Sequence, residues 1–208
     1  MSSGNFGHPE VMKVVRKRIA EFKKLGNCGF ADFDFRPFID MELRSNLRSE
    51  LAFCISTANS SAIAGLKFQK SLEEGFPKDL KTLMQASGVR FWNRKAEYVE
   101  KALKEFYKIE KAIELDSFEA REKLLEIKGL GMKEASHYLR NVGREDVAII
   151  DRHVLRWLLK RGQFVNKISK KEYLKMEKEL SKIAEGMNLS LAELDLIIWF
   201  EATRKILK

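Results

Sequence analysis

The sequence predicts an all-α fold, on three observations. Apolar residues recur at helical spacing along nearly the whole chain. Prolines number only three, and clusters of β-branched residues are few. No stretch shows a credible alternation of apolar and polar residues of the kind a half-buried strand requires. With 208 residues, 45% of them apolar, the chain can bury a substantial core as one or at most two compact units.

Each helix has its own signature. Val11, Val14, Val15, Ile19 and Phe22 step along one face of a basic helix that follows Pro9, a residue suited to a first turn. Leu43, Leu47, Leu51, Cys54 and Ile55 mark a more buried helix ending near Asn59. Ser71 to Phe76 leads to a break at Pro77. Tyr98, Leu103, Phe106 and Tyr107 mark a further helix, and Phe118 to Ile127 the one that enters a Gly-x-Gly hairpin. Met132 to Val142 is expected to be the second helix of that hairpin, stopped by Gly143. The next helix runs from Asp151 to Lys160, with Gly162 after its end. Ser169-x-x-Glu172 and Ser190-x-x-Glu193 are capping boxes that open the last two. Met1 to Gly7 reads as flexible, and residues 26–38 carry no motif despite Asp32 and Asp34. There is no internal repeat and no low-complexity tract.

Composition narrows the function. A net charge of +9 suits a polyanionic partner, although a solvated, heat-adapted surface is also rich in Lys and Glu. Cys28 near a loop and Cys54 within an apolar helix read as reduced thiols of a cytoplasmic protein. Two cysteines cannot ligate a four-iron cluster, and no Cys-x-x-Cys pair is present for zinc, so no iron–sulfur cluster is expected. Neither a signal peptide nor a membrane-length apolar run is visible.

The most informative stretch is Leu124-Leu-Glu-Ile-Lys-Gly-Leu-Gly-Met-Lys-Glu-Ala135. It reads as a helix end, a hairpin and a helix start, where free backbone N–H groups can hold a phosphate. Eighteen positions beyond Lys133 (151 − 133) stands Asp151, in Ile149-Ile-Asp-Arg-His-Val154. A phosphate clamp, an amine and a carboxylate together suggest chemistry on a nucleotide of DNA. An ammonium in the first turn of a helix meets the positive end of the dipole, which favours the free amine, and burial strengthens that effect. A surface lysine touching phosphate is the plainer alternative for Lys133. Asp151 could equally cap the following helix, and the two roles are compatible.

These residues resemble the helix-hairpin-helix DNA glycosylase superfamily, through Ile127-Lys-Gly-Leu-Gly-Met-Lys133 followed by Asp151. More narrowly, Lys133-Glu-Ala-Ser-His-Tyr-Leu-Arg-Asn-Val-Gly143, Val147-Ala-Ile-Ile-Asp-Arg-His153 and Leu194-Asp-Leu-Ile-Ile-Trp199 are similar to the archaeal-type 8-oxoguanine DNA glycosylase/AP lyases. Ser56-Thr-Ala-Asn-Ser60, Arg90-Phe-Trp-Asn-Arg-Lys-Ala-Glu-Tyr98 and a chain ending on Lys208 fit the same type, so the resemblance runs from about residue 45 onward.

The resemblance implies two helical lobes flanking a cleft, one from residues 1–50 and 145–208 and the other from 51–144. It implies a monomer acting on double-stranded DNA that contains 8-oxoguanine, in base-excision repair at the nucleoid. Lys133 would be the Schiff-base nucleophile and Asp151 the carboxylate that stabilises charge at C1′. The backbone around Gly129 and Gly131 would hold DNA phosphate, although a plain helix-to-helix turn explains these glycines equally well. Carbonyls of Leu125, Ile127 and Leu130 would hold a monovalent cation at the hairpin; no other cofactor is required.

For base recognition, 8-oxoguanine carries a hydrogen at N7 where guanine has a bare acceptor. A terminal carboxylate on Lys208 is a pure acceptor that would accept from the first and repel the second. Trp199 reads as a stacking platform or as core. His137, one turn after Lys133, should face the same cleft. Phe91 is a second aromatic wall or core. Asn59 lies where related enzymes fill the gap left by an extruded base, or is a helix C-cap. Arg90 and Arg94 reach phosphate or the opposite base, or are solvated; His153 orients groups beside Asp151 or packs structurally. The competing readings are a glycosylase for another oxidised base and a non-catalytic helix-hairpin-helix module that binds DNA without cleaving it.

Overall fold

The structure, a computed structural model, describes residues 9–159 and 168–208. Gly162 and the segment Met1 to Gly7 lie outside these. The described residues form eleven helices and one β-hairpin. In chain order they are α1 (Pro9–Cys28), β1 (Phe30–Asp34), β2 (Glu42–Asn46), α2 (Leu47–Thr57), α3 (Ala62–Lys70) and α4 (Leu80–Ala86). Then come α5 (Trp92–Lys104), α6 (Phe106–Ala112), α7 (Ser117–Leu124), α8 (Met132–Asn141), α9 (Arg152–Leu159), α10 (Lys170–Gly186) and α11 (Leu191–Thr203).

The helical character predicted from periodicity is what the structure shows, except that Leu43, read as part of the buried helix, lies in β2 and the helix read over Tyr98 to Tyr107 breaks at Glu105; the two capping boxes lie where the sequence places them. Ser169 accepts from Glu172 N–H at 3.3 Å, and Ser190 accepts from Glu193 N–H at 3.1 Å, in both cases with the Glu side chain reaching back. Each box satisfies donors that a helix start otherwise leaves free.

The hairpin is a departure from the sequence reading. β1 and β2 pair antiparallel with Phe33 opposite Leu43 and Ala31 opposite Ser45. These four face inward, while Phe30, Asp32, Glu42 and Arg44 are exposed. Only two inward positions per strand exist, and one is Ala and another Ser, so the apolar alternation is too faint to read. Residues 26–38, without a motif, thus supply a cover for the core: Phe33 and Phe35 are both fully buried.

α2 is the central helix. Every residue from Ser49 to Thr57 is buried, and it packs against α3, α5 and α8. A first apolar cluster gathers α1, the hairpin, α2 to α8 and the last residues of the chain. A second gathers Ala148, Ile150, α9, α10 and part of α11. Helix α11 serves both: Ala192, Leu196 and Ile197 join the first, whereas Leu191, Leu194 and Ile198 join the second. Asp195 and Trp199, one turn apart, fall outside both sets and face the space between.

A buried polar node ties the chain's last residue to this centre. Glu50 Oε2 accepts from Lys208 Nζ at 2.6 Å, Ser45 Oγ at 2.8 Å and Gln69 Nε2 at 2.9 Å, and Oε1 accepts from Asn141 at 2.6 Å. The Lys208 ammonium also donates to Gln69 Oε1 and lies 3.9 Å from the centre of the Phe33 ring. One carboxylate therefore joins β2, α2, α3, α8 and Lys208. Burial pushes the Glu50 carboxyl up, but the Lys208 ammonium and the donors from Lys208, Gln69 and Ser45 outweigh it and hold it below its usual range.

Candidate active site

A pocket of about 600 Å³ opens where α8, α11, the segment before α9 and the turn after α2 converge. Both Lys133 and Asp151 line it, so the two groups separated by eighteen positions share one cavity. A volume of this size accommodates a nucleobase and its sugar.

Lys133 is the second residue of α8 and is half-buried. Its charge acts on Lys95, His137 and Asp195, which places it among these groups. Lys95 is the neighbouring amine: it is buried, donates to the Ser56 carbonyl at 2.7 Å, and has its pKa lowered to about 8 by burial and then by Lys133. Lys128, the nearer lysine in sequence, instead lies over the Tyr98 ring, 6.0 Å from its centre.

The two hairpin glycines differ. Gly129 has φ +103, and a Cβ there would sit 2.7 Å from Tyr98 Cβ, so it is required by the left-handed backbone and by packing within the protein. Gly131 is exposed, with ordinary φ −96, at the N-cap of α8. Its N–H is met by the Glu134 carboxylate at 3.3 Å, a weak bond at the place where an incoming anion would bind. The Ile127 carbonyl already accepts from Leu130 N–H at 3.1 Å. Among the described residues no donor is seen at the carbonyls of Leu125 or Leu130, so both keep their acceptor capacity.

Asp151 is positioned by α10. Tyr173 Oη donates to Ala148 O at 2.6 Å and accepts from Ile150 N–H at 3.1 Å. Glu177, paired with the buried Arg121, accepts from Ala148 N–H at 2.8 Å. The segment 147–150 has no regular structure of its own, and these side chains satisfy its buried backbone. Asp151 Oδ1 then caps α9, accepting from His153 N–H at 2.8 Å and Val154 N–H at 2.9 Å. Both bonds use Oδ1, which leaves Oδ2 for a ligand. Capping and chemistry are therefore compatible in one carboxylate.

Deeper in the pocket stand His137, Trp199, Asp195, Arg140 and Lys208. His137 is 5% exposed and meets the Phe53 ring edge-on, with no hydrogen-bond partner at either ring nitrogen. Burial pushes its pKa well down, and Lys133, Arg140 and Lys208 push the same way, so the ring is neutral at pH 7 with one donor and one acceptor. Trp199 is half-buried, its indole N–H is unpartnered, and His153 abuts its ring at 4.9 Å between centres. The Lys208 side chain is completely buried whereas the residue as a whole is 5% exposed, so the part that borders the pocket is its main chain.

The rim carries the remaining expected residues. Asn59 lines the pocket and is exposed, with φ +51 just beyond the end of α2. It thus has the left-handed C-cap conformation and is open to a ligand as well. Arg90 lines the pocket, its N–H donates to Ser60 Oγ at 3.0 Å, and its guanidinium lies 5.4 Å from the Phe91 ring centre. Phe91 is neither pocket wall nor core: it is 61% exposed with φ +57, outside the cavity. The reason is its place at the N-cap of α5, where the chain turns out toward solvent. Arg94 is exposed and also outside the cavity. His153 lines the cavity; burial lowers its pKa against the opposing pull of Asp151.

Four groups at or near the site, Arg140, Lys95, Glu134 and Asp195, were not singled out from the sequence, although each lies within a segment that carries the family resemblance. Asp195 could have been found, because it precedes Trp199 by one helical turn.

Comparison with known proteins shows the family. The family model described as 8-oxoguanine DNA glycosylase matches residues 15–189. An 8-oxoguanine DNA glycosylase/AP lyase of Aquifex aeolicus is 45% identical over 96% of this chain and 95% of its own. The Methanocaldococcus jannaschii 8-oxoguanine glycosylase/lyase, solved with a 15mer DNA containing 8-oxoguanine, is 39% identical with a TM-score of 0.81, covering 96% of this chain and 94% of that one. The 8-oxoguanine DNA glycosylase of Thermotoga maritima superposes with a TM-score of 0.82 at 35% identity, covering 96% and 93%. This chain is therefore a member of the 8-oxoguanine DNA glycosylase family.

Proposed function

We propose that the protein is a bifunctional glycosylase/lyase that removes 8-oxoguanine from double-stranded DNA in base-excision repair. The observation that carries this reading is the meeting of Lys133, at the start of the hairpin's second helix, with Asp151 in one base-sized pocket.

The damaged nucleotide is turned out of the duplex into the pocket. Lys133 Nζ attacks C1′, and the bond from C1′ to N9 breaks with its electrons leaving on the base. Asp151 Oδ2 stabilises the positive charge developing on the sugar and takes the proton from the attacking amine. The sugar ring opens to a Schiff base on Lys133. Loss of a C2′ proton then expels the 3′ phosphate by β-elimination and nicks the strand.

The exposed N-terminus of α8 at Gly131 takes a backbone phosphate, with Glu134 swinging aside. Carbonyls of Leu125, Ile127 and Leu130 are the groups that would hold a monovalent cation, which would supply positive charge beside that phosphate. Trp199 stacks on the extruded base and His137 bonds to it. A main-chain oxygen of Lys208, fixed by its buried ammonium, accepts from N7–H of 8-oxoguanine and repels the bare N7 of guanine. Asn59, Arg90, Arg94 and His153 contact the DNA around the lesion; Phe91 presents an exposed ring to the duplex beside Arg90. The chain works as a monomer on cytoplasmic, nucleoid DNA, to which its net charge of +9 draws it. No helix among the described residues is long and apolar enough to cross a membrane.

The test is strand cleavage of a duplex with one 8-oxoguanine, run on a denaturing gel without heat or alkali. A nick at the lesion is expected, with an undamaged duplex left intact. Binding with no nick at 8-oxoguanine contradicts the reading.

A further inference from the structure

We propose that Lys95 is a positioning residue for base extrusion: its buried ammonium fixes the turn after α2 and so holds Asn59 where the gap in the DNA stack has to be filled. The proposal deepens the reading of this pocket as a base site and rests on it.

The cation comes first. Lys95, near the start of α5, is 5% exposed and donates to the Ser56 carbonyl at 2.7 Å, the one acceptor its ammonium has among the described residues. Ser56 is the last residue but one of α2, whose final carbonyls have no donor within the helix and carry the negative end of its dipole. An ammonium suits that place, yet it is held there against its surroundings. Burial pushes its pKa down to about 8, with Lys133 and Arg90 pushing the same way and Glu134 opposing. A neutral donor could satisfy one carbonyl without that penalty. Lys95 does not line the pocket, so its effect passes through the groups it holds.

What it holds is a turn of the pocket's rim. Thr57, Asn59, Ser60, Ser61 and Ala62 all line the cavity. The turn is gripped on both sides of Asn59, by Lys95 at Ser56 and by the Arg90 N–H at Ser60 Oγ, 3.0 Å away. Both grips come from one stretch of chain, residues 90–95. From another flank α3 presses in, because a Cβ at Gly65 would stand 2.5 Å from Thr57 Cγ2. Between these contacts Asn59 has φ +51 and is exposed, and its side chain makes no hydrogen bond among the described residues. A left-handed residue other than glycine persists where its surroundings over-determine it. The backbone is fixed here and the side chain is left for a ligand.

Base extrusion gives this arrangement its use. A nucleotide leaving the stack opens a gap, and the unstacking costs free energy. A short polar side chain on a fixed turn enters that gap with little loss of freedom. A loose turn would have to be ordered on binding and would recover less of the cost.

The test is a double-mutant cycle on single-turnover excision of 8-oxoguanine, with wild type, Lys95→Met, Asn59→Ala and the double variant. Lys95→Met is expected to slow excision about tenfold, the effect of one bond from a charged donor. The double variant is expected to be no more than about twofold slower than Asn59→Ala alone, since Lys95 acts through that side chain. A Lys95 that only supports the fold gives losses that multiply, and that result overturns the proposal. So does an unimpaired Lys95→Met. Lys95→Gln, which keeps a donor without the charge, repeats the cycle with a smaller loss and the same coupling. If neither variant folds, Lys95 is a pillar of the core and the proposal fails. A wild type that excises no 8-oxoguanine overturns the reading of the pocket itself, and is told apart from the other results by that fact.

Discussion

At the scale of single residues, two carboxylates line the site, and only one of them hydrogen-bonds to the fold. Asp151 is half structural, because Oδ1 caps α9 through two backbone N–H groups. Asn caps as well as Asp, so Asp151→Asn should change stability by about 0.5 kcal/mol or less. The same variant loses the negative charge beside C1′, and single-turnover excision should fall about 100-fold or more. A thermal melt and a rate measured on one preparation separate the two effects; a large loss of stability would show that the cap is not what Asp151 supplies. Asp195 is different, since burial pushes its pKa up to about 6, against Arg140, while Asp151 adds to the rise and Lys133 opposes it. Its folded value lies above the ordinary 3.8, so its contribution to stability is full below about pH 4 and is lost as pH rises through about 6. Denaturant unfolding from about pH 4 to 7 checks this: wild type should lose stability relative to Asp195→Asn as pH rises through about 6, and a constant difference contradicts it.

At the scale of elements, the hairpin shows what a motif conveys and what it hides. Its two glycines look equivalent in sequence, yet only Gly129 has a left-handed backbone and a close side-chain neighbour, Tyr98, where a Cβ would stand. Gly129→Ala should cost at least about 1 kcal/mol, from the left-handed backbone and the clash with Tyr98. At Gly131 an added Cβ meets only the Glu134 carboxylate oxygen, at 3.1 Å, so Gly131→Ala should be milder for stability and harsher for DNA affinity. Equal melting losses in the two variants would contradict this division. Capping boxes at Ser169 and Ser190 and the helix starting at Pro9 were legible because each is a local code. The β-hairpin was not, because its inward positions are Ala31, Phe33, Leu43 and Ser45. Nor was the support of Asp151 by Tyr173 and Glu177, as these lie 22 and 26 positions away and on another helix (173 − 151 and 177 − 151).

At the scale of the whole molecule, the node around Glu50 links the chain's last residue to the centre of the core. Lys208→Met would leave the Glu50 carboxylate buried without its cation, and should cost about 3–5 kcal/mol. Denaturant unfolding checks this, and a loss below about 1 kcal/mol would show that Gln69, Ser45 and Asn141 suffice to hold the carboxylate. The sequence pointed to Lys208 through family resemblance and the acceptor chemistry of a terminal carboxylate; the buried pairing that fixes its main chain against the pocket depends on a partner 158 positions away. The pairing of Lys133 with Asp151 was legible because each sits in a motif of its own, whereas Phe91 was misplaced because an aromatic next to Arg90 and Trp92 reads as apolar filling and not as an exposed turn.

The central claim is that Lys133 forms a Schiff base with the sugar of a nucleotide carrying 8-oxoguanine. Borohydride trapping on a duplex with one such base, using wild type and Lys133→Gln, tests it most directly. A covalent protein–DNA adduct with wild type and none with Lys133→Gln is the predicted result. An adduct that persists in Lys133→Gln would move the nucleophile elsewhere, with the buried amine of Lys95 the nearest candidate. No adduct with wild type, despite tight binding, would contradict the account altogether.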